Sequence, residues 1–172
     1  MIELLILYVL SSNPNTMYGI LKSILKNFSP YTKPSFGTIK PALLRLEEQG
    51  VLISRESYTE GGKLSMLYSL TPDGLKLLRE KIMKLSSKNP VQFLSNARIQ
   101  VACAGFLDKT DQKELFSSLI NMAKIIKLDA ESKINDDMVS PTYFHRLVLD
   151  NTICEYKNFI TLLEGLENAC NS

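Results

Sequence analysis

Apolar positions in the first half of the chain recur first with the period of helices and then with that of strands. Residues 2–11 are apolar nearly all round, so the helix they predict must be covered on every side, by its own domain or by a second chain. Thr16 can cap a second helix, which apolar spacings of three and four extend to Phe28. A third helix is predicted over residues 35–49, and Gly50 is well placed to end it.

A two-stranded ribbon is predicted to follow. Residues 51–58 form a strand candidate, and residues 64–70 alternate apolar with other positions in the manner of a returning strand. A polar, glycine-rich tip over residues 59–63 joins them. Thr71 as a cap, with Pro72 at the first helical position, then predicts a fourth helix. Three helices, a ribbon and a helix are the element order of a winged helix-turn-helix.

The second half is helical in pattern and carries no strand signal. The polar residues 86–90 mark a boundary, and helices are predicted over 90–107, from Thr110, and from Ser140 to about residue 169. The last of them carries apolar and intermediate positions spaced alternately by three and four, as in a coiled-coil seam. These positions are Leu149, Thr152, Tyr156, Phe159, Leu163, Leu166 and Cys170.

The fold class predicted from these patterns is mainly α. It comprises a winged helix-turn-helix domain with a small two-stranded wing over residues 1–88, and an all-helical dimerisation and effector domain over residues 89–172. Of the 172 residues, 45% are hydrophobic and 22% are charged, as in an ordinary folded soluble chain. The longest apolar run, residues 4–10, is far shorter than the roughly 20 residues of a membrane span and has no basic leader, so we expect a cytoplasmic protein.

Charge is distributed unevenly between the halves. Residues 1–88 contain 12 Lys/Arg and 7 Asp/Glu, a net charge of +5, whereas residues 89–172 contain 8 and 11, a net charge of −3. An anionic partner is therefore expected to meet the first half. The three cysteines form no CxxC pair and the chain has one histidine, so the sequence supports no metal site, cofactor or disulfide framework.

Two runs of residues resemble a known family. Residues 37–50 read Gly-Thr-Ile-Lys-Pro-Ala-Leu-Leu-Arg-Leu-Glu-Glu-Gln-Gly, and residues 68–74 read Tyr-Ser-Leu-Thr-Pro-Asp-Gly. Both are similar in order and spacing to runs on the recognition helix and after the wing of the PadR family of bacterial transcriptional regulators. The resemblance covers residues 1–88. Lys40 stands where that family usually has tyrosine, and the chain has no tryptophan of the kind that several members use to stack aromatic drugs.

The predicted DNA contacts lie at the start of the third helix and on the wing. A helix in the major groove reads base edges with side chains near its N-terminus, while basic side chains contact the phosphates. The candidate residues are Lys33, Ser35, Phe36, Thr38, Lys40, Arg55 and Lys63. The alternative is that the lysines among them are ordinary solvated surface residues.

The resemblance also implies a homodimer that binds a near-palindromic operator and responds to a small apolar or aromatic effector, as a repressor. In PadR-like proteins the last helix of the partner covers the first helix, which places Leu4, Leu7, Leu149, Tyr156, Phe159, Leu163 and Leu166 at the interface. The candidate effector-lining residues are Met17, Phe93, Phe106 and Tyr143, chosen because they are large and near predicted interfaces. The alternative for those four is plain core packing.

Other functions find less support in the sequence. An enzyme needs a nucleophile, a base and an orienting group that can meet, yet Cys154 and His145 lie nine residues apart on one helix and do not share a face. The pair Asp136 and Asp137 is expected to be a solvated turn rather than a metal site. A winged helix used only for protein contact stays open as an alternative, because fold alone does not fix function.

Overall fold

The computed structural model describes residues 1–58, 61–84, 89–135 and 141–170. Its elements, in chain order, are α1 (Ile2–Ser12), β1 (Asn15–Thr16), α2 (Met17–Phe28), α3 (Phe36–Glu48), β2 (Leu52–Tyr58), β3 (Leu64–Leu70), α4 (Pro72–Met83), α5 (Pro90–Cys103), a 3₁₀ turn (Ala104–Phe106), α6 (Lys109–Ile134) and α7 (Tyr143–Cys170). The predicted fold class is confirmed: a winged helix-turn-helix is followed by helices.

Helix caps set the element boundaries in the first half. The Thr16 hydroxyl accepts a hydrogen bond from the Gly19 amide at 3.2 Å. The Thr71 hydroxyl accepts one from the Gly74 amide at 3.1 Å. Gly50 follows α3 with φ of +69°, a left-handed conformation that glycine adopts without strain. These elements therefore begin and end close to the residues that the sequence predicts.

A third, very short strand was not expected. The sheet is antiparallel in the order β1–β3–β2, with Asn15 opposite Tyr68 in one pairing and Ser54 opposite Tyr68 in the other. Tyr68 thus lies on the central strand and is half-buried, in agreement with a packing role at the base of the wing. A strand of two residues has no alternation by which the sequence could reveal it.

Helix α1 is covered by its own domain. It packs on α2, α3 and α4, and within the single chain Leu4, Leu5, Ile6 and Leu7 are all nearly inaccessible to solvent. Leu4 and Leu7 are therefore covered within the single chain, and their place at a dimer interface stays a prediction. An all-apolar helix indicates burial on every side, and three helices of the same domain supply it.

The residues just before β2 and just after β3 are hydrogen-bonded to one another. The Thr71 amide donates to the Val51 carbonyl at 3.1 Å, and the Thr71 hydroxyl donates to the Gly50 carbonyl at 3.0 Å. A Cβ atom on Gly74 would lie 2.3 Å from the Val51 carbonyl oxygen, so only glycine allows α4 to begin this close to the chain that enters β2. We call Gly50, Val51, Thr71 and Gly74 the junction cluster.

The chain divides into two compact units, Met1–Phe106 and Leu107–Ser172. The boundary expected near residue 88 falls on residues 85–88, which lie outside the described part of the chain. Helix α5 groups with the first unit, and the predicted helix over 90–107 is interrupted by the 3₁₀ turn at Ala104–Phe106. The functional division into domains at residue 88 stays a prediction.

The second unit is a long antiparallel hairpin of α6 and α7. The predicted seam of α7 is buried in it without any second chain: Leu149, Tyr156, Phe159 and Leu163 are all buried, and Leu166 is half-buried. Helix α6, itself 26 residues long, covers this seam, and the dimer interface expected for Leu149, Tyr156, Phe159, Leu163 and Leu166 stays a prediction. In the described part of the chain no helix is both long enough and apolar enough to span a membrane.

Candidate nucleic-acid interface

Helix α3 begins with a reciprocal cap. The Ser35 amide donates to the Thr38 hydroxyl oxygen at 3.0 Å, and the same hydroxyl donates to the Ser35 carbonyl at 2.8 Å. The arrangement resembles a capping box and fixes the first turn of the helix. Because the Thr38 hydroxyl donates its hydrogen bond to the Ser35 carbonyl, Thr38 acts in this structure as a residue that positions the helix start.

All seven predicted DNA contacts are exposed on the first unit. Five of them, Lys33, Ser35, Phe36, Thr38 and Lys40, lie within the loop before α3 and the first turns of that helix. Arg55 lies on β2, and Lys63 lies between the wing tip and β3. No contact in the structure tests their role, so the DNA contacts themselves stay predictions.

Helix α2 and the start of α3 are rich in lysine and contain no acidic residue. No Asp or Glu occurs between Glu3 and Glu47. The same stretch contains four exposed lysines, Lys22, Lys26, Lys33 and Lys40. Its one arginine, Arg45, is bound by the Glu3 carboxylate, with the Nη2 and Oε1 atoms 3.1 Å apart. Sequence reasoning missed Lys22 and Lys26, although their spacing from Tyr18 could have revealed them.

Two aromatic rings lie on the same surface. Tyr18 is 66% exposed and Phe36 is 43% exposed, and their rings are stacked with centroids 6.3 Å apart and an interplanar angle of 20°. Tyr18, Lys22 and Lys26 are spaced by four on α2, and Phe36 and Lys40 are spaced by four on α3. We call the set of Tyr18, Lys22, Lys26, Lys33, Phe36 and Lys40 the α2–α3 surface.

The wing exposes apolar side chains near its tip. Tyr58 pairs with Leu64 and Glu56 pairs with Met66 across the two strands. Tyr58, Leu64 and Met66 are all exposed. The ribbon extends beyond the core at this end, and the alternation that predicted the strand therefore does not mark a buried face here. Residues 59 and 60, including Glu60, lie outside the described residues.

The four candidate effector residues occupy different environments. Phe93 is buried in the first unit, and Phe106 packs edge-on against Tyr8 with ring centroids 5.6 Å apart. Met17 is half-buried at the start of α2, and Tyr143 lies in the second unit, 71% exposed. Their effector role stays untested.

An open cleft of about 450 Å³ is present in the first unit and involves none of those four residues. Its lining consists of Met1, Tyr31, Val91, Gln92, Ser95 and Asn96. The Arg98 guanidinium lies over the Tyr31 ring, with its Cζ atom 5.9 Å from the ring centroid.

The described cysteines and carboxylates include a buried thiol but no grouped metal ligands. Burial raises the pKa of the Cys103 thiol to about 12, so that it stays protonated and behaves as a small apolar side chain. Within the described ranges, no three His, Cys, Asp or Glu side chains are grouped so that they could hold a metal ion. Asp136 and Asp137 lie outside those ranges.

The family model of the transcriptional regulator PadR-like family matches residues 6–80. This match runs from α1 to α4 and includes the α2–α3 surface and the wing. Residues 6–80 thus form a PadR-like domain. The two runs that suggested the resemblance, residues 37–50 and 68–74, both lie inside the match, and the resemblance is confirmed. PadR-like proteins are transcriptional regulators.

Solved PadR structures are similar to this chain. PadR of Bacillus subtilis in complex with operator DNA is 18% identical, with 98% of each chain covered and a TM-score of 0.45. The same protein in complex with p-coumaric acid is 19% identical, with 99% and 98% covered and a TM-score of 0.42. The PadR-like regulator BC4206 of Bacillus cereus ATCC 14579 is 27% identical over 45% of this chain and 74% of its own, with a TM-score of 0.40. No curated protein matches the chain significantly.

Proposed function

We propose that this PadR-like chain is a cytoplasmic repressor that binds duplex DNA sequence-specifically as a homodimer and releases it in response to a small effector. The observation that supports DNA binding best is the α2–α3 surface. Its four exposed lysines stand in a stretch without any acidic residue, which suits a polyanion and disfavours a mixed-charge protein partner.

The division of labour on that surface follows from the chemistry of DNA. Lysines neutralise phosphates and release condensed counterions, which gives salt-dependent affinity without sequence information. The side chains of the first turns of α3, among them Ser35 and Phe36, are those that reach base edges when such a helix enters the major groove. Arg55 and Lys63 on the wing add contacts to the backbone or the minor groove.

Selection of fragments from random and genomic DNA by the purified protein tests this function. We expect a symmetric motif, and a plot of log Kd against log salt whose slope falls by about two units in Lys40→Ala, one for each protomer of the dimer. Lys109→Ala is the matched control, since it removes an exposed lysine of the second unit, and its slope should equal that of the wild type. If no motif is selected and binding to any duplex is absent, a winged helix for protein contact is the better description.

A second observation supports the homodimer through residues other than those of the buried seam. In the hairpin, the Ser117 hydroxyl bonds to Glu167, and Lys124 lies 3.4 Å from Glu164. Because both helices rise equally per residue, the end of α6 at Ile134 lies opposite about residues 150–154 of α7. The first two turns of α7 therefore extend past α6. They carry the exposed side chains Tyr143, Phe144, Leu147 and Val148.

Such an apolar, uncovered end of a helix is a self-association surface in this proposal. A two-fold dimer would present two recognition helices to successive turns of DNA, about 34 Å apart, and the operator would be a near-palindrome. Phe144→Glu combined with Val148→Glu should convert the dimer to a monomer of 19.4 kDa in sedimentation experiments. Arg146→Glu changes an exposed residue of the same turns and should stay dimeric. A wild-type monomer at micromolar concentration would refute the dimer.

The effector is proposed to occupy the cleft lined by Tyr31, Val91 and Asn96 in the first unit. Its lining combines an aromatic ring with amide and hydroxyl groups, which suits a small planar molecule with polar substituents. A thermal-shift screen of aromatic acids, phenols and aromatic cations should find a stabilising compound, and Tyr31→Ala should abolish the shift. If stabilisation persists in Tyr31→Ala and is lost in Met17→Ala, the effector lies at the site predicted from the sequence instead.

A further inference from the structure

The stacked pair of Tyr18 and Phe36 is unusual because it exposes aromatic area that the core does not need. Tyr18 is the second residue of α2 and Phe36 is the first residue of α3. Leaving apolar area in water costs about 25 cal/mol per Å², and the offset stack of the two rings recovers only part of this. A partner that covers the remaining apolar area would therefore gain free energy.

The surroundings of the pair specify the chemistry of that partner. Lys33 and Lys40 lie on either side of Phe36 in sequence, and Lys22 follows Tyr18 by one helical turn. An exposed apolar ring at the N-terminus of a helix, with lysines nearby in sequence, fits a polyanion that presents an apolar group at its surface. In the major groove of DNA that group is the C5-methyl of thymine, since the other base edges offer hydrogen-bond donors and acceptors.

We propose that Phe36 recognises the methyl group of one thymine in each operator half-site, and that Tyr18 holds the Phe36 ring in the orientation this contact requires. The inference rests on the proposed function, because it assumes that α3 enters the major groove. It adds a base preference and assigns a positioning role to Tyr18, a residue outside the set of contacts predicted from the sequence.

The stack explains why two residues are needed. Phe36 is the first residue of α3. The space beside its neighbour Gly37 is open, since a Cβ atom there would have only the Ser35 hydroxyl oxygen within 4 Å, at 3.5 Å. The Tyr18 ring, nearly parallel to the Phe36 ring, restricts the rotation of Phe36 on one side. A contact with a single methyl group loses most of its energy if the ring rotates away, so discrimination depends on Tyr18 even if Tyr18 touches no base.

Replacement of each operator thymine by deoxyuracil, one symmetric pair at a time, removes only the methyl group and tests the inference directly. For the wild type, replacing the thymine pair that Phe36 contacts should weaken binding by about four-fold per half-site, the amount expected for one buried methyl group. Phe36→Ala should bind the thymine and uracil operators equally. Phe36→Leu, which keeps an apolar side chain, should retain part of the preference.

The positioning role of Tyr18 has its own comparison. Tyr18→Ala should reduce the preference for thymine over uracil, whereas Tyr18→Phe should restore it, since the ring and not the hydroxyl forms the stack. Leu75→Ala, which shortens an exposed apolar side chain on α4, is the matched control and should leave the preference unchanged. Circular dichroism of each variant confirms that it is folded.

The outcomes separate the two levels of the argument. Tight, sequence-specific binding with no thymine pair sensitive to uracil overturns the role of Phe36 and leaves the proposed function intact. A sensitive pair that stays equally sensitive in Phe36→Ala assigns the methyl to another residue and also overturns it. Failure to bind any duplex overturns the proposed function and the inference together.

Discussion

The carboxylate of Glu3 and the ammonium group of Lys81 lie 2.7 Å apart, although 78 residues separate them in the chain. The same carboxylate also accepts a hydrogen bond from the Arg45 Nε atom at 3.2 Å. Glu3 thereby joins α1 to the end of α4 and to the far end of α3. The two cations neutralise the one acidic side chain that precedes the lysine-rich stretch.

This relationship predicts a pH dependence of stability. The hydrogen bond from Lys81 holds the pKa of the Glu3 carboxyl below its ordinary value of 4.5, and burial opposes this only in part. Because the unfolded chain binds the proton more tightly, the stabilisation is complete above 4.5 and is lost as the pH falls through the folded-state pKa.

The stability difference between wild type and Glu3→Gln should therefore be about 1 kcal/mol near neutral pH and should shrink as the pH falls below 4.5. Urea denaturation at a series of pH values measures it. Lys76→Met, which breaks an exposed pair with Asp73, serves as the control and should change stability by less than half as much. A difference that is constant with pH would contradict the role of the Glu3 carboxylate.

Gly74→Ala should destabilise the protein by about 1–3 kcal/mol, because the new methyl group would collide with the Val51 carbonyl and the Leu70 side chain. Gly165→Ala is the matched control: it also replaces a helical glycine, but nothing lies within 4 Å of its Cβ position. That substitution should stabilise the protein by about 0.5–1 kcal/mol. Thermal unfolding of both variants compares them, and equal shifts would show that the junction cluster is looser than described.

Thr38→Val should cost about 1 kcal/mol, since it removes the hydroxyl that caps the first turn of α3 while keeping the shape of the side chain. Thr38→Ser keeps the hydroxyl and should be close to wild type. Chemical denaturation gives both values. Destabilisation by serine but not by valine would show that the methyl group, rather than the cap, matters at this position.

Gln100 is the polar residue that the first unit buries most completely, and its side-chain amide donates to the Ile82 carbonyl at 2.6 Å and to the Lys84 carbonyl at 3.0 Å. Gln100→Leu should cost about 1–3 kcal/mol, because two carbonyl groups at the end of α4 lose their donor. Amide hydrogen exchange should report the loss at the last turn of α4 and in α5. Unchanged exchange there would contradict the assignment.

Thiol labelling should distinguish the cysteines without any mutation. Cys154 is exposed and should react with a disulfide reagent in the native protein. Cys103 is buried and its pKa is raised to about 12, so it should react only after unfolding. Mass spectrometry of the labelled peptides identifies the sites, and prompt modification of Cys103 would indicate an open core around α5.

The sequence predicted the first unit well because its boundaries depend on local chemistry. Thr16, Gly50 and Thr71 act through bonds to neighbours a few residues away, and such bonds leave a signature in the sequence. The strand β1 left none, because two residues that pair with a distant strand show no period. Tyr18 was overlooked since an exposed aromatic outside an apolar stripe has no pattern, and only the structure brings it to Phe36.

The second unit shows where periodicity misleads. The spacing of Leu149, Tyr156 and Leu163 marks correctly which face of α7 is buried, but it carries no information about whether the covering helix belongs to the same chain. Here α6 covers that face. Phe144 and Val148, now proposed for self-association, could not be identified as interface residues from the sequence, because their exposure depends on where α6 ends.

The junction cluster has a consequence for the geometry of any operator. Thr71 bonds the end of β3 to Gly50 and Val51, which connect α3 to β2. Helix α3 and the base of the wing thus share one fixed attachment. In the proposed complex with DNA, the separation between the groove entered by α3 and the site reached by the wing is then set by the protein, so a base pair inserted between those two sites should be tolerated far less than a base change at either one.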